Sequence, residues 1–193
     1  LILVYEANTR RQLSHLVHMG DHTLAYRSED LAVYLNHDAL PRVFVVHSAR
    51  AVPDDAQTLR ILREPAFDPL VEVLLAAEQV GTGQPPTMGA DKAELLTYDT
   101  GRIAVEVQAA TDGYLVLTDT WYPGWRARVD GQESPVLRAD LIFRAVQVPA
   151  GEHLVEFTYA PGSFRVGLWV SAAALFVLSG LWVWSGFTFG MCS

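Results

Sequence analysis

Short apolar runs separated by turn residues recur along the chain from residue 93 onward. Between Val155 and Tyr159 every second residue is apolar, which is the period of a strand with one buried face. Turn signals such as Asp130-Gly131 separate the runs every ~10 residues, and this spacing favours an antiparallel β-sandwich over residues 93–163. The predicted strands are Ala93–Tyr98, Arg102–Ala109, Tyr114–Thr118, Trp125–Val129, Glu133–Leu137, Leu141–Val148 and His153–Tyr159.

The pattern before residue 80 mixes both periods and predicts a small α/β segment over residues 1–80. Helices are expected at Arg10–Met19 and from Asp55 to about Arg63, where Asp54-Asp55 is a natural cap. The strands expected here are Leu1–Tyr5, Thr23–Arg27, Leu31–Leu35, Arg42–His47 and Leu70–Leu75. Residues 81–92 contain Pro85 and Pro86 and predict a connection. The pattern leaves open whether strands of residues 1–80 join the sheets of the sandwich.

The C-terminal segment has a different pattern, because Val166–Phe189 contains no charged residue and no histidine. As a helix, its 24 residues would be roughly 36 Å long, enough to cross a ~30 Å hydrocarbon core. Trp169, Trp182 and Trp184 lie near its ends, where amphipathic aromatics favour the headgroup region. A buried core helix is the less favoured alternative at this length. The predicted fold is therefore mainly β with minor α, ending in one transmembrane helix over residues 164–190.

The charged residues are confined to the first 165 positions, where 22 acidic side chains outnumber 14 Lys and Arg. The net charge of −8 argues against a nucleic-acid partner, since phosphate contacts need clustered cations. The single cysteine, Cys192, excludes an internal disulfide. Leu1 is not a Met and no signal-peptide core follows it, so we expect the tail end of a longer, multi-spanning protein.

Few residues have the spacing of a reactive site, and we predict no catalytic residue, no cofactor and no metal site. His15, His18 and His22 would share one face of a continuous helix, as metal ligands do. Gly20 is expected to end that helix before His22, which removes the geometry.

The candidate binding residues are Trp121, Tyr122 and Trp125, which surround the Pro123-Gly124 turn. Three aromatics there would form a platform on which a sugar ring stacks. The favoured alternative is that a tryptophan fills one end of the core, because buried aromatics are the commoner use.

The late strands also carry arginines that would meet an anionic lipid headgroup or a phosphate-bearing substrate. A solvated sheet face is the favoured interpretation of these residues. They are Arg126, Arg128, Arg138 and Arg144.

Several short motifs occur in a fixed order along the chain. They are Val33–Asn36, Ala39–Phe44, Trp121–Arg126 with Val129–Gly131, Phe143–Val146, Pro149–His153 and Tyr159–Arg165. Together they resemble the C-terminal part of YfhO-type bacterial membrane proteins. Each motif is short, and their order and spacing carry the resemblance.

The resemblance implies a polytopic protein related to GT-C glycosyltransferases, which modify cell-envelope glycopolymers with a lipid-linked sugar. Its catalytic part would lie upstream, and this chain would be an extracytoplasmic accessory domain, residues 1–163, with the last span. The expected partners are the lipid bilayer, neighbouring transmembrane helices, and a glycan or a polyprenyl-phosphate-linked sugar. Two alternatives remain open: a non-catalytic carbohydrate-binding or assembly module, and a tail-anchored cytosolic domain. Arg165 lies on the domain side of the span, so charge asymmetry does not support the outside orientation.

Overall fold

A computed structural model of the chain describes residues 2–6, 22–28, 31–79 and 91–189. The chain divides into two compact units, residues 1–42 and residues 43–193. The first unit contains β1 (Ile2–Glu6), β2 (His22–Arg27) and β3 (Leu31–Asn36), which form an antiparallel sheet in the order β1-β3-β2. The predicted helix Arg10–Met19 lies outside the described residues, as does nearly all of the predicted connection over 81–92.

Most of the second unit consists of two antiparallel sheets. Its elements are β4 (Val43–Val46), β5 (Ser48–Val52), α1 (Asp55–Ile61), β6 (Glu72–Ala76), β7 (Lys92–Tyr98), β8 (Arg102–Ala109), β9 (Gly113–Leu117), β10 (Trp125–Val129), β11 (Gln132–Ser134), β12 (Leu137–Ala139), β13 (Phe143–Val148), β14 (Gly151–Tyr159) and α2 (Gly162–Phe189). One sheet has five strands in the order β11-β10-β14-β8-β7, and the other has four in the order β12-β13-β9-β4.

The two sheets share one apolar core, which makes them a sandwich. Alternate residues of β8 and β14 face inward from the five-stranded sheet, and residues of β9 and β13 meet them from the other sheet. The fully buried members include Val105, Val107, Leu115, Leu117, Val146, Val148, Val155 and Phe157. Packing of these apolar faces is the main source of the sandwich's stability.

A parallel pair of strands, β5 and β6, lies beside the sandwich and is connected through α1. Asp54 caps α1, since its carboxylate accepts a hydrogen bond from the Gln57 backbone N–H at 2.7 Å. The apolar face of α1 packs Ile61 against Val52 and Leu74. β5 was not among the predicted strands, because its alternating apolar positions, Ala49 and Ala51, are alanines, which are depleted in strands.

The predicted strand Glu133–Leu137 is wrong as a single element. The chain forms β11 in the five-stranded sheet and β12 in the four-stranded sheet. Pro135 lies between them, and it has no backbone N–H with which to continue a ladder. The break lets the chain cross from one sheet to the other.

The C-terminal helix α2 spans 28 residues, or roughly 42 Å, and contains no acidic residue in its first turn and no basic one in its last. Among the described residues it is the one helix long and apolar enough to cross a bilayer. The large side chains described between residues 164 and 178 are exposed, with Trp169 at 73% and Phe176 at 82%. The predicted fold class is confirmed: a mainly β chain with an antiparallel sandwich, a small α/β part before it and an apolar helix after it.

Candidate functional site

A cavity of about 310 Å³ opens at one end of the sandwich. Its walls come from the β7–β8 turn, the segment after β9, the start of β10 and the start of β13. The lining residues are Tyr98, Asp99, Thr100, Ile103, Asp119, Trp125 and Arg144. We refer to it as the Arg144 cavity. Its volume is at the lower end of the range of small-molecule sites.

The last strand of the sandwich ends beside the Arg144 cavity. The Tyr159 backbone N–H donates to the carbonyl of Gly101 at 2.9 Å, and the Ala160 N–H donates to the carbonyl of Gly124 at 2.8 Å. The ring centroids of Tyr159 and Trp125 are 5.3 Å apart. Only Ala160 and Pro161 then separate β14 from the first residue of α2. The cavity therefore lies at the end of the sandwich from which the apolar helix leaves.

Arg144 is the most unusual member of this site, because its side chain is only 3% exposed. Its Nη2 lies 2.9 Å from an Asp119 carboxylate oxygen. The guanidinium carbon is 3.9 Å from the centre of the Trp125 ring and 5.8 Å from that of Phe157. Aromatic π-faces attract a cation, so the two rings and one carboxylate together hold the charge.

Two donor atoms of Arg144, Nε and Nη1, are buried and have no hydrogen-bond partner among the described residues. Burial lowers the pKa of the Arg144 guanidinium below its usual value, and the Asp119 carboxylate opposes that shift. Guanidinium nonetheless stays protonated at any physiological pH. Arg144 is thus a fixed positive charge beside the Asp119 carboxylate.

Asp119 is oriented from a second side by a phenol. The Tyr98 hydroxyl donates to the two Asp119 carboxylate oxygens at 3.0 and 3.1 Å. The Asp119 side chain is 15% exposed, so part of it still faces the cavity. With Asp99 and Thr100 on the neighbouring turn, the lining combines two carboxylates, two hydroxyls and one guanidinium. Such a set suits hydrogen bonding to a small polar ligand.

The three aromatics of the predicted platform are separated in the structure. Trp125 lines the Arg144 cavity, with the guanidinium over its ring. Trp121 lines a different cavity of about 270 Å³, which also contains Asp55 and Arg138. Tyr122 lies between them in sequence and is 61% exposed. Carbohydrate binding by these residues stays a prediction, and Trp125 is the one of the three that reaches the Arg144 cavity.

The four arginines of the late strands also have different environments. Arg144 is buried, so the solvated sheet face predicted for it is wrong. Arg138 pairs through both Nη atoms with the Asp55 carboxylate at 3.1 and 3.0 Å. The sequence of β13 could have identified Arg144 as buried. Residues 144, 146 and 148 face the same side of the strand, and Val146 and Val148 are buried. Asp119 and Tyr98, by contrast, are 21 positions apart and become neighbours only through the sheet pairing.

The opposite end of the sandwich carries a closed polar network around His47. Its Nε2 lies 2.8 Å from the Asp91 carboxylate, and its Nδ1 lies 3.1 Å from both the Asp112 carbonyl and the Thr111 hydroxyl. Burial on its own lowers the pKa of His47, but the hydrogen bonds to Asp91 and Asp112 outweigh it and raise that pKa. Each ring nitrogen has a protein partner, so His47 connects the segment before β7 to the β8–β9 turn.

The predicted histidine cluster is only partly within the described residues. His15 and His18 lie outside them, and His22 is the first residue of β2. Elsewhere in the described part of the chain, no group of three or more His, Cys, Asp or Glu side chains is arranged to hold a metal ion.

A β-sandwich that passes within two residues into an apolar helix of spanning length is a domain built to lie at a membrane. The comparison with known families narrows that class. Residues 87–171 match the family described as bacterial membrane protein YfhO. This match confirms the resemblance of the motifs to YfhO-type membrane proteins and, together with the apolar helix, supports membrane association.

The curated relative that matches is the Uncharacterized protein YfhO of Bacillus subtilis (strain 168), which is 25% identical over 85 residues. The alignment covers 44% of this chain and 10% of the relative. No solved structure matches the chain significantly.

Proposed function

We propose that this chain is the extracytoplasmic accessory domain and last membrane span of a polytopic YfhO-family glycosyltransferase. The parent enzyme would transfer a sugar from a lipid-linked donor to a cell-envelope glycopolymer. The observation that carries the proposal is the extent of the family match, which runs from residue 87 through the sandwich and into α2. The matched unit is therefore the sandwich together with its junction to the apolar helix.

The junction supports this role, because it is too short to act as a flexible tether. Ala160 and Pro161 connect β14 to α2, and the Ala160 N–H is bonded back to Gly124. A sandwich held in this way stays at the membrane surface. The sugar of a lipid-linked donor is found at that same surface, because its carrier chain lies in the bilayer.

The chain supplies no catalytic group under this proposal. GT-C-type enzymes have their catalytic carboxylate in early loops between membrane helices, and in the parent protein such loops would lie outside this chain. The sandwich would act by positioning donor or acceptor.

A reconstituted transfer assay tests the proposal. The full-length parent protein in proteoliposomes is expected to transfer a radiolabelled sugar from a lipid-linked donor to a teichoic-acid acceptor. The same protein without residues 93–159 is expected to lose most of this transfer while remaining in the membrane. Absence of transfer by the intact protein with any lipid-linked sugar would contradict the proposal.

A further inference from the structure

We propose that the Arg144 cavity is a binding subsite for one sugar ring, whose hydroxyl groups donate to the carboxylates of Asp99 and Asp119. The inference rests on the proposed function for the ligand's place at the membrane, but its argument comes from the lining of the cavity. The site differs from a platform of Trp121, Tyr122 and Trp125, because hydrogen bonding to carboxylates carries the recognition.

The charges of the residues that line the Arg144 cavity indicate which class of ligand it would bind. Two carboxylates face one guanidinium, and that guanidinium is already paired with Asp119. A phosphate or another anion would meet a net negative wall, and like charges at close range repel. An uncharged ligand rich in hydroxyl groups has the donors that carboxylates accept.

One of the two acceptors, the Asp119 carboxylate, is held in place before any ligand arrives. Arg144 and the Tyr98 hydroxyl fix the orientation of Asp119 from two sides. Both lie on strands of the sandwich, β13 and β7, which are more rigid than a free loop. A preorganised acceptor reduces the entropy lost when a ligand binds. Arg144 therefore acts as a positioning residue in this site.

Size and position agree with a single ring at the bilayer surface. The volume of about 310 Å³ accommodates a small ligand and excludes an extended oligosaccharide. The mouth adjoins the end of β14, two residues before α2. A sugar attached to a membrane carrier has this location, and so does the end of a lipid-anchored glycan.

The test uses the full chain in a detergent whose headgroup is not a sugar. Methyl β-glucopyranoside, methyl β-galactopyranoside and N-acetylglucosamine are titrated separately, and binding is followed through the tryptophan indole N–H signals in NMR spectra. At least one of the three is expected to shift the Trp125 signal saturably, and inorganic phosphate is expected to leave it unchanged. A folded chain that binds none of the three sugars, or that binds phosphate instead, would overturn the inference.

Matched variants locate the binding. Asp99→Ala removes an exposed acceptor and is expected to lower the affinity about tenfold or more, since hydrogen bonds to charged groups are the strong ones. Tyr98→Phe is expected to lower it severalfold. Tyr122→Ala, an exposed aromatic outside the cavity, is expected to leave it within about twofold. Loss of affinity in Tyr122→Ala together with unchanged affinity in Asp99→Ala would contradict the assignment.

Two further variants examine the positioning role of Arg144. Arg144→Lys keeps a positive charge beside Asp119, whereas Arg144→Met fills the space without charge. We expect the lysine variant to retain more of the sugar affinity than the methionine variant, even when their melting temperatures are equal. Equal affinities in two folded variants would remove the positioning role.

A second experiment shows whether the bound sugar belongs to a lipid-linked donor or to an acceptor glycan. It also tests the cavity assignment separately from the proposed function. In nanodiscs, tighter binding of a polyprenyl-phosphate-linked hexose than of the soluble glycoside would identify the lipid-linked donor, and equal binding would identify an acceptor glycan. Sugar binding here without transfer by the parent protein would refute only the proposed function. Transfer by the parent without sugar binding to this chain would refute only the cavity assignment.

Discussion

The Arg144 guanidinium is buried in the sandwich, where it forms an ion pair with one carboxylate and cation–π contacts with two aromatic rings. An ion pair of this kind contributes little net stability, since desolvation offsets the attraction between the charges. Removing one partner alone is costly, because it leaves the other charge buried and unpaired. The pair therefore gives this end of the sandwich a fixed arrangement.

Asp119→Ala tests this dependence. We expect the variant to lower the free energy of unfolding by roughly 3 kcal/mol, because Arg144 stays buried without its carboxylate. Asp99→Ala removes an exposed carboxylate of the same cavity and is expected to change the free energy by no more than about 0.5 kcal/mol. Urea unfolding followed by tryptophan fluorescence measures both. Equal effects in the two variants would show that the buried pair has no special role.

Asp140 is a second buried charge, with a side chain that is 3% exposed. Burial raises the pKa of Asp140 from its ordinary 3.8 to about 6, the nearby Glu72 adds to the shift, and a hydrogen bond from the Leu74 backbone N–H opposes it. The folded protein therefore binds this proton more tightly than the unfolded chain does. Stability is lost as the pH rises from about 4 to about 6, and the loss persists at higher pH.

Asp140→Asn removes that titration. Asparagine tolerates the left-handed backbone of this position, where φ is 47°, and its amide oxygen still accepts from Leu74. At pH 8 the variant is expected to be more stable than the native chain by up to about 3 kcal/mol, and near pH 3.5 the two are expected to be equal. Thermal unfolding at the two pH values measures the difference. A variant that is less stable than the native chain at pH 8 would contradict the buried-charge account.

At the scale of elements, Gly124 lies between the Arg144 cavity and the start of the apolar helix α2. Its φ of 108° is one that residues with a side chain rarely adopt, and an added Cβ would lie 3.0 Å from the Cα of Pro161. Gly131 in the β10–β11 turn has a φ of 79° but open space around it. Comparing substitutions at the two glycines therefore distinguishes backbone strain, which is present at both, from steric contact with Pro161, which is present only at Gly124.

Gly124→Ala is therefore expected to be more damaging than Gly131→Ala. The turn variant should lose about 1 kcal/mol from backbone strain alone. The junction variant should lose more and should also change the Trp125 indole signal, because Pro161 and Tyr159 must move. NMR spectra and melting temperatures of the two variants measure this. Identical behaviour would mean that the close contact with Pro161 is not a constraint.

Most strands of the sandwich were predictable from the sequence, because their apolar alternation and turn residues are local signals. β8 and β10 match the predicted ranges, and β14 begins two residues before the predicted strand. β5 and the break at Pro135 escaped prediction. The alternating apolar positions of β5 are alanines, which give a weak strand signal, and the break depends on which sheet each half joins. The site was harder to predict. The sequence singled out Trp125, but the pairing of Arg144 with Asp119 depends on packing between strands.

At the scale of the whole molecule, the sandwich and the apolar helix form one functional arrangement. The short junction and the bond from Ala160 to Gly124 limit how far the sandwich end can move from the start of α2. Under our proposal this arrangement holds the Arg144 cavity at the outer membrane surface, beside the sugar of a lipid-linked donor. The family match and the apolar helix support the membrane location, and the orientation can be measured directly.

Thiol labelling in intact cells is that measurement. Glu133, 71% exposed on the sandwich, and Phe176, 82% exposed on α2, are each replaced by Cys in the full-length parent protein, in a background where Cys192 and any other cysteine are replaced by Ser. With a membrane-impermeant maleimide, we expect Glu133→Cys to react in intact cells and Phe176→Cys to remain unlabelled even after the membrane is permeabilised, because lipid covers it. Labelling of Glu133→Cys only after permeabilisation would contradict the extracytoplasmic position. Ready labelling of Phe176→Cys by the aqueous reagent would contradict the membrane span itself.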